Sequence, residues 1–309
     1  MNPEVKVLQP EVVRSRVRVL DFLELMKPEL TGLSVLTTLF GFYLATNGSF
    51  PVWIFLHTAL GTLLIGGGAG ALNQYIERSY DALMKRTERR PLPSGRLTPQ
   101  DALIFGAGIS LLGMLELWFF VNALTCFLGI ITWATYLFLY TPLKRVTPAS
   151  TVVGGIPGAL PPVMGWAAAR NEISAESIVL FAILFCWQMP HFFSLAWMYR
   201  KDYERAGFKI LTVFDHSGTR TGRQILFYTA ALIPLTLGPA FLGMTGWIAT
   251  AGALLLGSGF LILGSMPLRY SGRSGIEAVG KLSSSSRRIF FASLIYLPVL
   301  MLMMAIDKL

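Results

Sequence analysis

Long apolar segments run through almost the whole chain, and each is about as long as a helix must be to cross a bilayer. A helix satisfies its own backbone hydrogen bonds in lipid, so segments of this length favour helices over open strands. Only 14% of the 309 residues are charged, against about a quarter in soluble proteins. The sequence therefore predicts an all-α polytopic membrane protein with nine transmembrane helices. The predicted spans are residues 30–47, 53–72, 101–120, 122–140, 149–169, 178–199, 224–243, 246–266 and 289–306.

Lysine and arginine are concentrated on one side of these predicted spans. Of the 26 basic residues, 24 fall in the N-terminal segment or in the loops after the second, fourth, sixth and eighth spans, and only Arg170 and Lys308 fall elsewhere. Because basic residues collect in cytoplasmic loops, we predict a cytoplasmic N-terminal segment, 1–29, followed by one membrane domain, 30–306. The net charge of +9 is explained by this bias. The bilayer is thus an expected partner, and nucleic acid is not.

A row of oxygen-bearing side chains ends the second apolar segment. Asn73, Glu77 and Asp81 are four residues apart, so on a helix they share one face. Oxygen ligands suit Mg²⁺, which usually shares its protein sites with substrate phosphates. The spacing predicts a Mg²⁺ site at the cytoplasmic end of this helix. An ordinary solvated helix end with mixed charges is the alternative.

Basic side chains follow this row and recur after the fourth segment. Lys85, Arg86 and Arg90 lie in the first loop, and Lys144 and Arg145 lie in the second. Lysine and arginine bind phosphate groups through charge-assisted hydrogen bonds. These residues are therefore candidates for holding a diphosphate, although the preference for basic cytoplasmic loops would also explain them.

A second group of polar residues lies at the end of the sixth apolar segment. Asp202 lies at the cytoplasmic end of its helix, as Asp81 does in the second, and two such carboxylates can jointly hold metal and phosphate. His191 lies eleven residues deeper, one helical turn after Trp187. A histidine in a membrane span normally has a polar partner or a function. A haem or metal ligand, a base and a hydrogen-bonded structural residue all remain open for His191.

Two further features concern the spans themselves. The segment 149–169 contains several glycines and prolines, so we predict a broken or kinked helix, which is tolerated where it lines a cavity. A purely structural kink is an equal alternative. Glu116 lies close to the outer end of its span, which favours a carboxylate at the level of the lipid head groups over a functional intramembrane acid.

Taken together, these stretches resemble the UbiA superfamily of intramembrane prenyltransferases over about residues 21–306. The first motif of that superfamily is Asn-x-x-x-Asp-x-x-x-Asp, and glutamate at the middle position, as at Glu77, is common in the branch that acts on haem. The run from Trp187 to His191, Trp-Gln-x-Pro-His, is specific to that branch. Further matches are Tyr140-Thr141, Gly154-Gly155, Pro161-Pro162, Gly165-Trp166, Asp202-Tyr203, Ala206-Gly207, Thr221 and Gln224.

The resemblance implies a nine-helix bundle around a central cavity open to the cytoplasmic side of a bacterial inner membrane. It implies transfer of a farnesyl group from farnesyl diphosphate to the 2-vinyl group of haem B, with hydration, giving haem O. Haem A synthase or a terminal oxidase assembly is an expected partner. The implied roles are Mg²⁺ binding by Asn73, Glu77, Asp81 and Asp202, diphosphate binding by Lys85, Arg86, Arg90, Lys144 and Arg145, and haem binding by His191 and Trp187.

Three positions depart from the family pattern. Glu29 replaces the arginine of a usual Lys-Pro-Arg, Ser150 replaces a frequent asparagine, and Asp202 is the single acid of the second motif. One rival function is prenyl transfer to another aromatic acceptor. The other is membrane transport, since broken helices and intramembrane acids also mark transport pathways. No inverted repeat is visible in the sequence to favour transport.

Overall fold

The structure is a computed structural model that describes residues 10–272 and 276–309. Within these ranges the regular elements are helices, and the one β-contact is an isolated bridge between Thr245 and Lys308. The helices are α1 (Pro10–Leu25), α2 (Pro28–Ala45), α3 (Val52–Asp81), α4 (Pro99–Phe120), α5 (Ala123–Ala134), a π-helical turn (Thr135–Tyr140), α6 (Thr141–Leu143), α7 (Ser150–Ala159), α8 (Pro161–Arg170), α9 (Ala175–Met198), α10 (Arg200–Arg205), α11 (Leu211–Phe214), α12 (Thr219–Phe241), α13 (Trp247–Tyr270) and α14 (Ile276–Ile306).

The all-α fold is confirmed, and the count of nine spans holds approximately. Eight stretches of the described chain are long and apolar enough to cross a membrane; α5, the π-helical turn and α6 form one of them, and α7 with α8 another. The remaining predicted span is α2, whose 18 residues include Pro28 and Glu29 at its start. It packs along α3 and α8 as a member of the same bundle.

The predicted break in the 149–169 segment is present. Helix α7 ends at Ala159 and α8 begins at Pro161, where two successive prolines lack the N–H groups that would continue the first helix. The amide Nε2 of Gln188 on α9 donates to the carbonyl of Gly155 at 2.9 Å. The interrupted segment is thus tied to α9, as expected for irregular backbone at membrane depth.

The contact between α2 and α8 depends on two glycines. A Cβ added to Gly41 would overlap the carbonyl oxygen of Pro162, and one added to Gly165 would overlap that of Thr38. The two backbones therefore touch directly at both positions, as small residues allow in membrane bundles.

The two basic residues outside the predicted cytoplasmic loops have a shared structural role. The Nε of Arg170 donates to the carbonyl of Ala45 at 2.5 Å, and the Nζ of Lys308 donates to the carbonyl of Tyr43 at 2.6 Å and to that of Thr46. Cations at a helix C-terminus satisfy its last carbonyls and oppose its dipole. These two residues therefore cap the end of α2.

Candidate active site

The predicted row of polar side chains lies at the C-terminal end of α3. Asn73, Glu77 and Asp81 are 0%, 4% and 1% exposed. Buried polar groups are costly unless they are bonded, and buried charges more so. The burial therefore argues against an ordinary solvated helix end.

Each carboxylate of the row is paired with a basic residue from a different loop. The Nζ of Lys144 donates to both carboxylate oxygens of Glu77, at 2.9 and 3.0 Å, and the Nη1 of Arg90 donates to Oδ2 of Asp81 at 2.8 Å. Charges buried at this depth require such partners. Two of the cations predicted to hold a diphosphate are thus in contact with two of the three acids predicted to hold a metal.

A third cation, Lys27, completes the group, and the sequence analysis missed it. Its Nζ is 2.5 Å from Oδ1 of Asn73 and 3.4 Å from the hydroxyl of Tyr136. The Nδ2 of Asn73 donates to Oε2 of Glu77 at 3.1 Å and to the hydroxyl of Thr141 at 2.9 Å. Because an ammonium group only donates and a carboxylate only accepts, these partners determine the orientation of the Asn73 amide.

The local backbone explains how Lys27 and Thr141 reach the row. Lys27 has φ of 52°, an uncommon conformation for a residue other than glycine, in the sharp turn between α1 and α2. Thr141 follows the π-helical turn, and its hydroxyl donates to the carbonyl of Tyr136 at 2.8 Å. Such turns occur frequently at functional sites. The sequence signal for Lys27 was that Lys27-Pro28 matches the first two residues of the Lys-Pro-Arg usual in the family.

The two lysines differ in electrostatic environment. Burial, with Arg90 nearby, lowers the pKa of Lys27 to about 7. Burial also disfavours the charged form of Lys144, but Glu77 outweighs it and raises the pKa of Lys144 above its ordinary value. Lys144 therefore stays charged at neutral pH, whereas Lys27 titrates near neutrality.

The other predicted diphosphate residues lie at varying positions around the row. The Nη2 of Arg86 donates to the hydroxyl of Tyr203 at 3.0 Å. The guanidinium of Arg145 lies 3.9 Å from the ring centroid of Tyr80 and donates to a backbone carbonyl of α3. Lys85 is exposed and has no hydrogen bond or ion pair with the part of the chain that the structure describes. Arg86 and Arg145 are thus held in place by aromatic side chains, and Lys85 is not.

Asp202 is paired elsewhere. It forms an ion pair with Arg205 of α10, and the Nε of Arg205 donates to the carbonyl of Leu83 at 2.8 Å. Across residues 10–272 and 276–309, no three His, Cys, Asp or Glu side chains lie close enough together to hold a metal. Glu77, Asp81 and Asp202 are therefore not assembled as one acidic cluster, and each is paired with its own cation.

The loops after α3 and α9 pack against each other over this end of the bundle. The rings of Tyr80 and Phe208 have centroids 5.5 Å apart, and the backbone N–H of Lys209 donates to the carbonyl of Lys144 at 2.7 Å. Met84 and Phe208 are each 2% exposed in a small apolar cluster. The two loops therefore form an ordered cover beside the row.

Trp187 and His191 both contact Ser293 of α14. The Nε1 of buried Trp187 donates to the Ser293 carbonyl at 2.9 Å, and Nδ1 of His191 lies 2.8 Å from the Ser293 hydroxyl. That hydroxyl donates its one proton to the carbonyl of Phe290 at 2.6 Å, so Nδ1 of His191 must be the donor. In the neutral ring, Nε2 then carries the free lone pair. The contact is structural, and it also orients a potential ligand nitrogen.

Comparisons with known proteins agree with this geometry. Residues 34–292 match the model of the UbiA prenyltransferase family. A protein of Solibacter usitatus (strain Ellin6076) named protoheme IX farnesyltransferase is 47% identical over 298 residues, which cover 93% of this chain and 98% of that relative.

Solved structures share the fold at low sequence identity. A structure described as giving insights into digeranylgeranylglyceryl phosphate synthase in membranes has a TM-score of 0.77 at 14% identity and covers 94% of this chain and 98% of that one. A UbiA homolog from Archaeoglobus fulgidus bound to DMAPP and Mg²⁺ has a TM-score of 0.67 at 14% identity, covering 90% and 99%. With the family match over most of its length, the chain belongs to the UbiA prenyltransferase family.

Proposed function

We propose that this protein transfers the farnesyl group of farnesyl diphosphate to the 2-vinyl group of haem B, with addition of water, giving haem O. The observation that carries the proposal is the 47% identity, over nearly the whole chain, to a protein named protoheme IX farnesyltransferase. The buried row of Asn73, Glu77 and Asp81 among basic side chains is the site at which we place the reaction.

The donor set fits Mg²⁺. Two carboxylates and one amide, all buried on one face of α3, provide the oxygen ligands that Mg²⁺ prefers. The A. fulgidus UbiA homolog was solved with DMAPP and Mg²⁺. We assign Mg²⁺ to Glu77 and Asp81, with Asn73 as a further ligand. Asp202 would join them only after it exchanges its ion pair with Arg205 for the metal. The bound ion would help to neutralise the charge that develops on the leaving diphosphate.

The basic residues act on the same leaving group. When the allylic C–O bond breaks, both electrons leave with the diphosphate, so cations placed beforehand stabilise the transition state. Arg90 and Lys144 already lie at the row, and Lys27 lies beside them. We assign them to the diphosphate together with Arg86 and Arg145, each in exchange for its present partners, and with the exposed Lys85.

Haem B, the acceptor, reacts with the allylic cation that forms when the C–O bond breaks. The terminal carbon of the haem vinyl group bonds to the allylic carbon, and the cation left on the vinyl group then binds water, which loses a proton. The ordered loops over the site limit early access of bulk water to the allylic cation. His191, which lies on α9 eleven residues before Asp202 of α10, is assigned with Trp187 to the haem.

The test of the function is product analysis. Expression in membranes of a host that lacks haem O, followed by mass analysis of extracted haems, should reveal haem B carrying one added farnesyl group and one added water. The Asp81→Asn variant, expressed to the same level, serves as the control. If the protein were a transporter, a substrate would cross the membrane and no new covalent product would form. Prenylation of an added aromatic acid, with haem B unchanged, would favour the other acceptor class.

Loss of the His191 ring should separate haem binding from diphosphate binding. Purified His191→Ala should bind haem about tenfold more weakly, with a changed absorption spectrum, because the oriented Nε2 is gone. It should bind a non-hydrolysable farnesyl diphosphate analogue normally, and His216→Ala, which removes an exposed histidine, should alter neither titration. An unchanged haem spectrum and affinity in well-folded His191→Ala would remove this residue from the site.

The proposed orientation makes a labelling prediction. Residues 73–100, 141–148, 200–223 and 267–288 should all be cytoplasmic, since their basic residues would otherwise lie on the outer side. A cysteine introduced at Glu88 should react with a membrane-impermeant reagent only after the membrane is opened, whereas one at Ser49 should react from the periplasm of intact cells. The reverse labelling pattern would mean that the bundle has the opposite orientation in the membrane. Ser274, a natural choice in the last loop, lies outside the described residues.

A further inference from the structure

In the described part of α1, one face is buried against the protein and the other is exposed and apolar. Asp21 and Leu25 are 2% and 0% exposed and face the protein. Val19, Leu20 and Leu23 are 59%, 61% and 50% exposed. Residues three and four apart are neighbours on a helix surface, so these three side chains form one apolar face.

This helix is fixed to the bundle, so its apolar face is held outwards. The guanidinium of Arg96 bonds to Asp21 and, at 2.7 Å, to Glu24. The Nε2 of Gln74 on α3 donates to the carbonyls of Glu24 and Leu25 at 3.1 and 3.2 Å. Because the other face of α1 makes these bonds, rotating Val19, Leu20 and Leu23 inwards would break them.

The apolar face continues into the surface of a membrane helix. A cavity of about 460 Å³ lies beside α1, and its lining includes Leu20 and Leu23 together with Leu30 of α2, which is 56% exposed. Lys27 and Arg90 also line it. The leucines of α1 thus adjoin an exposed leucine of α2, one of the helices that the sequence predicts to span the membrane.

We propose that α1 lies within the cytoplasmic leaflet, with Val19, Leu20 and Leu23 covered by phospholipid acyl chains. A helix with one apolar and one charged face binds in this way, about 5–10 Å into the boundary between head groups and chains. The cavity between α1 and α2 then opens to that leaflet rather than to the cytoplasm. This placement of α1 does not depend on the reaction proposed above.

Fluorescence quenching tests the placement on the full-length protein. Single cysteines at Leu20 and Leu23, and a control at the exposed loop residue Glu88, are made with Cys126 and Cys186 replaced, and each is labelled with a polarity-sensitive fluorophore. The variants are reconstituted in vesicles of phosphatidylethanolamine and phosphatidylglycerol. Labels at Leu20 and Leu23 should be quenched several-fold more than that at Glu88 by phospholipids with a shallow spin label, and several-fold less by aqueous iodide.

Two outcomes would overturn the proposal. Equal iodide quenching at all three positions would place α1 in water. Protection of Leu20 and Leu23 from both quenchers would mean that protein, such as a second copy of this chain, covers the face. If a labelled variant elutes as an aggregate, Val19 on the same face replaces that position.

Discussion

Replacing Asp81 with asparagine should reduce farnesyl transfer by about a thousandfold, because several kcal/mol of charge stabilisation would be lost at the leaving diphosphate. Asp81 is 1% exposed, and Arg90 donates to its carboxylate at 2.8 Å. The site therefore holds a buried negative charge at this position, stabilised by a specific partner. Asparagine preserves the shape of the side chain and removes that charge. The measurement is single-turnover product formation by the purified variant across a range of Mg²⁺ concentrations.

A matched control separates catalysis from stability. Asp21 of α1 is also a buried acid, 2% exposed, and is paired with Arg96 of the loop before α4 rather than with a residue of the row. Asp21→Asn should destabilise the protein to a similar degree and leave the rate per folded molecule unchanged. Glu77→Asp, which shortens a proposed ligand but keeps its charge, should retain part of the activity. Wild-type turnover by Asp81→Asn at low Mg²⁺ would mean that the row is structural.

The row itself could be predicted from the sequence because its geometry is local. Four-residue spacing places Asn73, Glu77 and Asp81 on one face of any helix. Their burial and their partners could not be predicted in this way, since Lys144 and Arg90 reach the row from separate loops. Both cations were predicted to hold a diphosphate. Their pairing with particular acids, Lys144 with Glu77 and Arg90 with Asp81, could not be predicted from the sequence.

Lys27 shows most clearly why part of the site was missed. Its partner Asn73 is 46 residues away, and the contact depends on a left-handed turn at Lys27 that no pattern in the sequence indicates. The π-helical turn that presents Thr141 is likewise set by tertiary packing. Glu116, expected at head-group level, is paired with His57 at 2.5 Å, because α3 and α4 pack along each other. Periodicity identifies helices and faces, whereas contacts between elements require the folded chain.

The direct contact of α2 with α8 leads to the second large expected effect. Gly165→Ala and Gly41→Ala should each destabilise the protein by about 1–3 kcal/mol or more, since each new methyl group would overlap a backbone carbonyl that cannot rotate away. Because α2 begins immediately after Lys27, a displaced α2 should also move that lysine from Asn73 and lower activity. Thermal unfolding in detergent and the yield of monodisperse protein measure the first effect.

Gly32 provides the matched control on the same helix. Nothing lies within 4 Å of a Cβ added there, so Gly32→Ala should have no steric cost. Alanine is favoured over glycine inside a helix by about 1 kcal/mol, and this variant should therefore be as stable as the parent protein or slightly more stable. The comparison is decisive because all three substitutions add one methyl group to a helix. If Gly41→Ala and Gly165→Ala unfolded at the same temperature as Gly32→Ala, the two backbones would not touch, and Lys27 would not owe its position to the packing of α2 on α8.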